Sequence, residues 1–143
     1  MVLETIDRKI NRLENEKLKL AFRLMKVSGL RVAEVASLKK TDIQVEGDQI
    51  LVTVRHGKGG SNGVVHCMPD SYLANKLLMF IANKSDEEKL FYSASAMKKK
   101  AGALGIECHD FRRIAAITYH QLLRKEQNLS VEQADELTQV FLR

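Results

Sequence analysis

The sequence predicts a mainly α-helical domain with one small antiparallel β-sheet, an α+β fold. Three observations lead to it. Apolar residues recur at three- and four-residue steps over most of the chain, the pattern of one buried helix face. A single β-branched stretch, residues 49–55, is followed across a glycine-rich turn by a second, 64–68, which predicts a hairpin. Helix-capping and turn residues separate these segments at short intervals. At 143 residues the chain fits one domain with a real core. Its 23 basic and 18 acidic residues leave a net charge of +5, which permits a polyanionic partner without requiring one. No apolar run approaches a membrane span, and Glu4 and Asp7 fall where a signal peptide would be apolar, so a cytoplasmic protein without membrane attachment is expected. Cys67 and Cys108 form no CxxC pair and lack zinc-like His spacing, so each reads as a buried free thiol.

In chain order, residues 3–27 place Ile6, Ile10, Leu13, Leu20, Leu24 and Val27 on an amphipathic helical pattern, as one helix or two. It breaks at Ser28-Gly29 and restarts with Val32, Val35, Ala36 and Leu38. A short strand at 43–45 lies between turn residues Thr41-Asp42 and Glu46-Gly47-Asp48. The hairpin follows, with residues 57–63 as its flexible tip. Asp70 then caps a helix over 71–83 that buries Leu73, Leu77, Leu78 and Ile81. A charged loop at 84–89 and the Leu90-Phe91 anchor lead into a helix over 93–104, stopped by Gly105. Cys108 opens an apolar helix with Ile114, Ala115, Ile117, Leu122 and Leu123. A Ser130-x-x-Gln133 capping box starts the last helix, expected to bury Leu137, Val140 and Phe141.

Three places have the residue types for anion chemistry. Arg31 sits at a helix-to-helix corner, and Glu34, three residues on, is placed to hold its guanidinium. Lys58 stands among glycines at the hairpin tip, with Arg55, His56 and His66 nearby and no acid from residue 49 to 69; taken alone, this is also the composition of an ordinary solvated turn. His109 and Arg112, three apart, share one face of a first helical turn, where the helix end also favours an anion.

The stretch Ser28-Gly29-Leu30-Arg31-x-x-Glu34-x-x-x-Leu38-x-x-x-Asp42-Ile43 resembles the first arginine box of the tyrosine recombinase (phage integrase) family. Gly57-Lys58-Gly59-Gly60 resembles that family's hairpin lysine element, and His109-Asp110-Phe111-Arg112 its His-x-x-Arg box, in the same chain order. The resemblance implies a tyrosine recombinase catalytic-domain-like fold and cleavage and rejoining of double-stranded DNA through a phosphotyrosine link, without metal, nucleotide or other cofactor. It implies Arg31 and Arg112 as ligands of the phosphate oxygens, Lys58 as donor to the leaving hydroxyl, His109 as a phosphate or proton-transfer group, and Glu34 in support. Arg55, His56, Lys58, Ser61, Asn62, Lys98, Lys99, Lys100 and Arg113 are the expected DNA contacts.

The chain departs from the family pattern in two places. Arg113 stands where a second His is common, and reads either as a backbone phosphate contact or as surface. The ending Leu137-Thr138-Gln139-Val140-Phe141-Leu142-Arg143 resembles the stretch before the family's final His or Trp and nucleophilic Tyr. Tyr72, Tyr92 and Tyr119 read as structural. Residues 1–143 are therefore expected to be a single catalytic core lacking both the N-terminal arm domain and the tyrosine segment. Such a core would be inactive alone, with self-association on DNA through segments it lacks. The alternative from another class is a DNA-binding or regulatory protein that keeps the fold without the reaction.

Overall fold

The computed structural model describes residues 3–55 and 63–142. Helices α1 (Leu3–Asn11) and α2 (Glu16–Ser28) divide the first amphipathic segment, because Asn15 accepts the Leu18 N–H (3.1 Å) and starts a new helix. Helix α2 stops at Gly29, whose φ of 73° lets its N–H reach the Met25 carbonyl (3.0 Å). The short α3 (Val32–Ala36) and a 3-10 turn (Lys40–Asp42) then lead to strands β1 (Ile43–Glu46), β2 (Gln49–Val54) and β3 (Gly63–His66).

The sheet is antiparallel in the order β1-β2-β3, with Val45 opposite Ile50 and Val54 opposite Gly63. Its alternation turns Ile50, Val52 and Val54 inward. β3 ends two residues before the expected 64–68, and the hydrogen bonds show why. The Cys67 N–H still donates to the Ile50 carbonyl (3.0 Å), but Met68 turns away and donates to Val27 at the end of α2 (2.9 Å). The hairpin's return strand is thus tied to the corner that carries Arg31.

Helices α4 (Ser71–Ile81), α5 (Ala94–Ala103), α6 (Cys108–Glu126) and α7 (Val131–Leu142) complete the domain. Asp70 and Ser93 cap α4 and α5 through the Leu73 and Ala96 N–H groups (3.0 and 3.2 Å). Ser130 and Gln133 form the expected reciprocal box at α7: the Gln133 N–H donates to the Ser130 hydroxyl (3.2 Å) and the Ser130 N–H to the Gln133 side-chain oxygen (3.0 Å). At the centre, Phe22 of α2 meets Phe111 of α6 with ring centroids 4.8 Å apart, both fully buried.

Four apolar residues expected in the core are exposed: Leu78, Ile117, Leu137 and Val140. Each lies on a helix whose inward stripe is narrower than its apolar content. α4 seats Leu73, Ala74, Leu77 and Ile81, leaving Leu78 about 100° around the helix. α7 packs on α6 through the small residues Ala134 and Thr138, with the Thr138 hydroxyl satisfied by the Ala134 carbonyl (2.7 Å). Leu137 and Val140 are left exposed, while Phe141 stacks half-buried on Tyr119 of α6. Cys67 and Cys108 are free and buried, and burial pushes the Cys67 thiol up to about 12. Among the described residues no helix is long and apolar enough to cross a membrane, and no group of three or more His, Cys, Asp or Glu side chains is placed to hold a metal.

Candidate functional site

Two chain segments far apart in sequence meet at the α2–α3 corner. Arg31 is the extended residue just before α3 (φ −76°, ψ 153°), with its guanidinium exposed. The Glu34 carboxylate accepts the Arg31 backbone N–H at 2.7 Å. The third residue of a helix is well placed to satisfy the free N–H at its start, so Glu34 fixes the corner's backbone.

Arg112, one turn into α6, is half-buried beside this corner. One guanidinium nitrogen donates to the Gly29 carbonyl and the other to the Leu142 carbonyl at the end of α7. Burial lowers its pKa, the positive charge of Arg31 lowers it further, and Glu34 partly offsets both. Two guanidiniums close enough to repel one another, with a single carboxylate between their elements, make a place where an anion relieves electrostatic strain.

The Arg31–Arg112 pair forms a ridge between two hollows. The first, of about 560 Å³, is bordered by Glu34, by Val64, Val65 and His66 of β3, and by Tyr119, Leu137 and Phe141 of α6 and α7. The second, of about 470 Å³, lies on the other side and is bordered by His109 and Lys98. Arg31 and Arg112 border both hollows, and His109 borders the second with them. Val54 and Gly63, paired across β2 and β3, also border the first hollow. His56, Lys58, Ser61 and Asn62 lie outside the described residues.

The remaining basic candidates divide. Lys98, Lys99 and Lys100 are all exposed on α5, and Lys98 reaches the second hollow. Arg55 is already engaged: its Nε pairs with the buried Asp42 carboxylate at 2.7 Å, and it donates to the Thr41 hydroxyl at 3.3 Å. That carboxylate also accepts the Lys39 N–H (2.9 Å), so Arg55 serves the base of the sheet. Arg113, exposed, reaches back to Asp110 of its own helix at 3.5 Å and borders neither hollow.

Sequence reasoning missed two residues at the site. Tyr119, read as structural, borders the first hollow and stacks on Phe141 (centroids 4.2 Å apart, 8° between planes). Its spacing of seven from Arg112, two helical turns, carried that signal. His66 borders the same hollow, two residues along the strand from Val64 and so on the same face of it. The other tyrosines are occupied elsewhere. Tyr72 lies under Arg23 and Lys76, and the Tyr92 hydroxyl accepts from the Asn15 amide at 2.8 Å.

Gly29 is the residue on which the corner turns. A methyl group built there would lie 2.8 Å from Leu142 Cδ2, at a φ that L-residues resist. Gly29→Ala is expected to cost about 1–2 kcal/mol in urea unfolding. It should also weaken anion binding, since the Gly29 carbonyl positions Arg112.

Fold and site together define an α+β domain with an arginine-ridged, anion-receptive face. The chain belongs to the phage integrase family, which its residues 2–134 match. It is 34% identical over 73 residues to the tyrosine recombinase XerA of Thermococcus kodakarensis, covering 51% of this chain and 24% of that protein. Among solved structures, a XerA recombinase superposes with a TM-score of 0.68 at 16% identity, over 100% of this chain and 58% of that one. A lambda integrase (75-356) dimer bound to a COC' core site superposes with a TM-score of 0.64 at 18% identity, over 99% of this chain and 54% of that one. The chain thus spans little more than half the length of these solved chains, and the match to the curated relative covers about a quarter of it.

Proposed function

We propose that residues 1–143 form the catalytic core of a site-specific recombinase or integrase that cleaves and rejoins double-stranded DNA through a phosphotyrosine intermediate. The observation that carries this reading is the Arg31–Arg112 ridge, with His109 beside it, in a chain of this family. Two guanidiniums can each donate to non-bridging oxygens of one phosphodiester and offset the charge that grows as phosphorus becomes five-coordinate. A tyrosine oxygen attacks phosphorus as its proton passes to a nearby base such as His109 or water, the bond to the leaving oxygen breaks, and Lys58 supplies the proton that oxygen takes up. His109 donates to the phosphate or relays a proton, and Glu34 acts through the Arg31 backbone. Arg55, His56, Lys58, Ser61, Asn62, Lys98, Lys99, Lys100 and Arg113 are proposed contacts to the duplex. Double-stranded DNA is the proposed partner, in line with the DNA-bound lambda integrase relative.

The nucleophile is not assigned to Tyr72, Tyr92 or Tyr119, since each is engaged by a neighbouring side chain. The tyrosine segment, an arm domain and the surfaces for self-association are assigned to sequence outside residues 1–143. A cytoplasmic location fits the two unpaired thiols.

A second reading, a DNA-binding protein without the reaction, is favoured by one observation: Arg112 already donates to two backbone carbonyls. The test incubates this chain, extended by the codons flanking it, with end-labelled duplex and resolves the products on a denaturing gel. A covalent protein–DNA adduct that Arg31→Ala reduces by about a hundredfold or more supports the recombinase reading. Salt-dependent binding without adduct supports the second. No affinity for duplex at low salt removes both.

A further inference from the structure

The hollow on the α5 side of the ridge differs in chemistry from the one beside the hairpin. Its floor is apolar and buried: Leu30 and Ile106 are 4% and 2% exposed, and Cys108 lies beside them. Its walls are Val32 at the start of α3 and Gly102 on α5, where an added Cβ would meet nothing within 4 Å. Around this apolar floor stand Arg31, Arg112, His109 and Lys98. The one acid on its border is Glu107.

A contact surface for phosphates alone needs no buried apolar floor, because a strand backbone presents only oxygens and sugar edges. An apolar hollow of about 470 Å³ ringed by cations matches instead the two parts of a single nucleotide, a flat base and its anionic phosphate. We propose that this hollow receives one unstacked base of the bound DNA strand, next to the phosphate held on the Arg31–Arg112 ridge. The inference rests on the recombinase or DNA-binding reading given above. In it the base leaves its stack and lies between Val32 and Gly102 over Leu30 and Ile106, while Lys98 and His109 take the flanking backbone. Unstacking is offset by burial of the base's faces and is least costly at a flexible pyrimidine–purine step.

The test places 2-aminopurine, whose fluorescence is quenched by stacking, singly at each position within three nucleotides of the phosphate that the protein binds. Fluorescence anisotropy of a separate end label on the same duplex reports binding. The protein at saturation is expected to raise the 2-aminopurine signal several-fold at one position only. Gly102→Leu, which fills the hollow from a helical site with open space, should abolish that rise while weakening binding by no more than about tenfold. Val32→Phe fills the hollow from the opposite wall and should do the same, so the test survives if either variant fails to fold. Saturated binding with quenched probes at every position overturns the proposal and leaves the DNA-binding reading intact. So does a rise that both filling variants leave unchanged. Absence of any anisotropy change overturns the two together.

Discussion

Arg112→Ala is expected to lower the rate of covalent adduct formation by about 10²–10³-fold, the loss seen when one donor to a developing oxyanion is removed. Arg112→Lys should recover little of it. A single ammonium cannot span the Gly29 and Leu142 carbonyls while keeping donors for a phosphate, whereas a planar guanidinium can. The same variants should unfold more easily, by about 1–3 kcal/mol, because those carbonyls lose their partner at a partly buried junction of α2, α6 and α7. Single-turnover adduct assays on the extended protein measure the first effect and urea titration the second. A wild-type adduct rate in Arg112→Ala would show that the phosphate is held elsewhere.

Phe111→Ala is expected to be the most destabilising single change, at about 3–5 kcal/mol by chemical denaturation. Phe111 is fully buried against Phe22, and it is the side chain that anchors the first turn of α6 to α2. His109 and Arg112 flank it in sequence, so the cavity left behind would loosen the turn that carries both. Where enough protein still folds, affinity for duplex should fall more than the unfolded fraction accounts for. Phe111→Leu, which keeps most of the volume, should restore much of the stability and tests the packing explanation.

The contrast between these two residues shows how far the sequence could be read. Phe111 and Arg112 are adjacent on α6, and both meet the α2 end of the molecule only through tertiary packing, Phe111 on Phe22 and Arg112 on Gly29. The caps at Asp70 and Ser130 were legible, because an N-cap depends on residues within one turn. Leu137 and Val140 were misread for the opposite reason. A helix's apolar stripe says that something will cover it, while the choice between α6 and an open hollow depends on how closely Ala134 and Thr138 allow the two helices to approach. The pairing of Arg55 with Asp42 could not be read from sequence, because the two lie thirteen residues apart and meet only when the sheet forms. Tyr119 was read as structural, and its place at the edge of the first hollow depends on Phe141, a stacking partner on another helix.

The amino-acid order by itself determined the succession of helices and strands, the corner at Gly29, and the identity of the residues capable of holding a phosphate. Those follow from backbone geometry and from forces acting within a few residues. Only the tertiary structure decided that Arg31 and Arg112 border the same hollows and that α7 lays its last carbonyl on Arg112. Such outcomes depend on where helices distant in sequence come to rest. That is set by the summed packing of side chains such as Phe22 and Phe111, which no local pattern records.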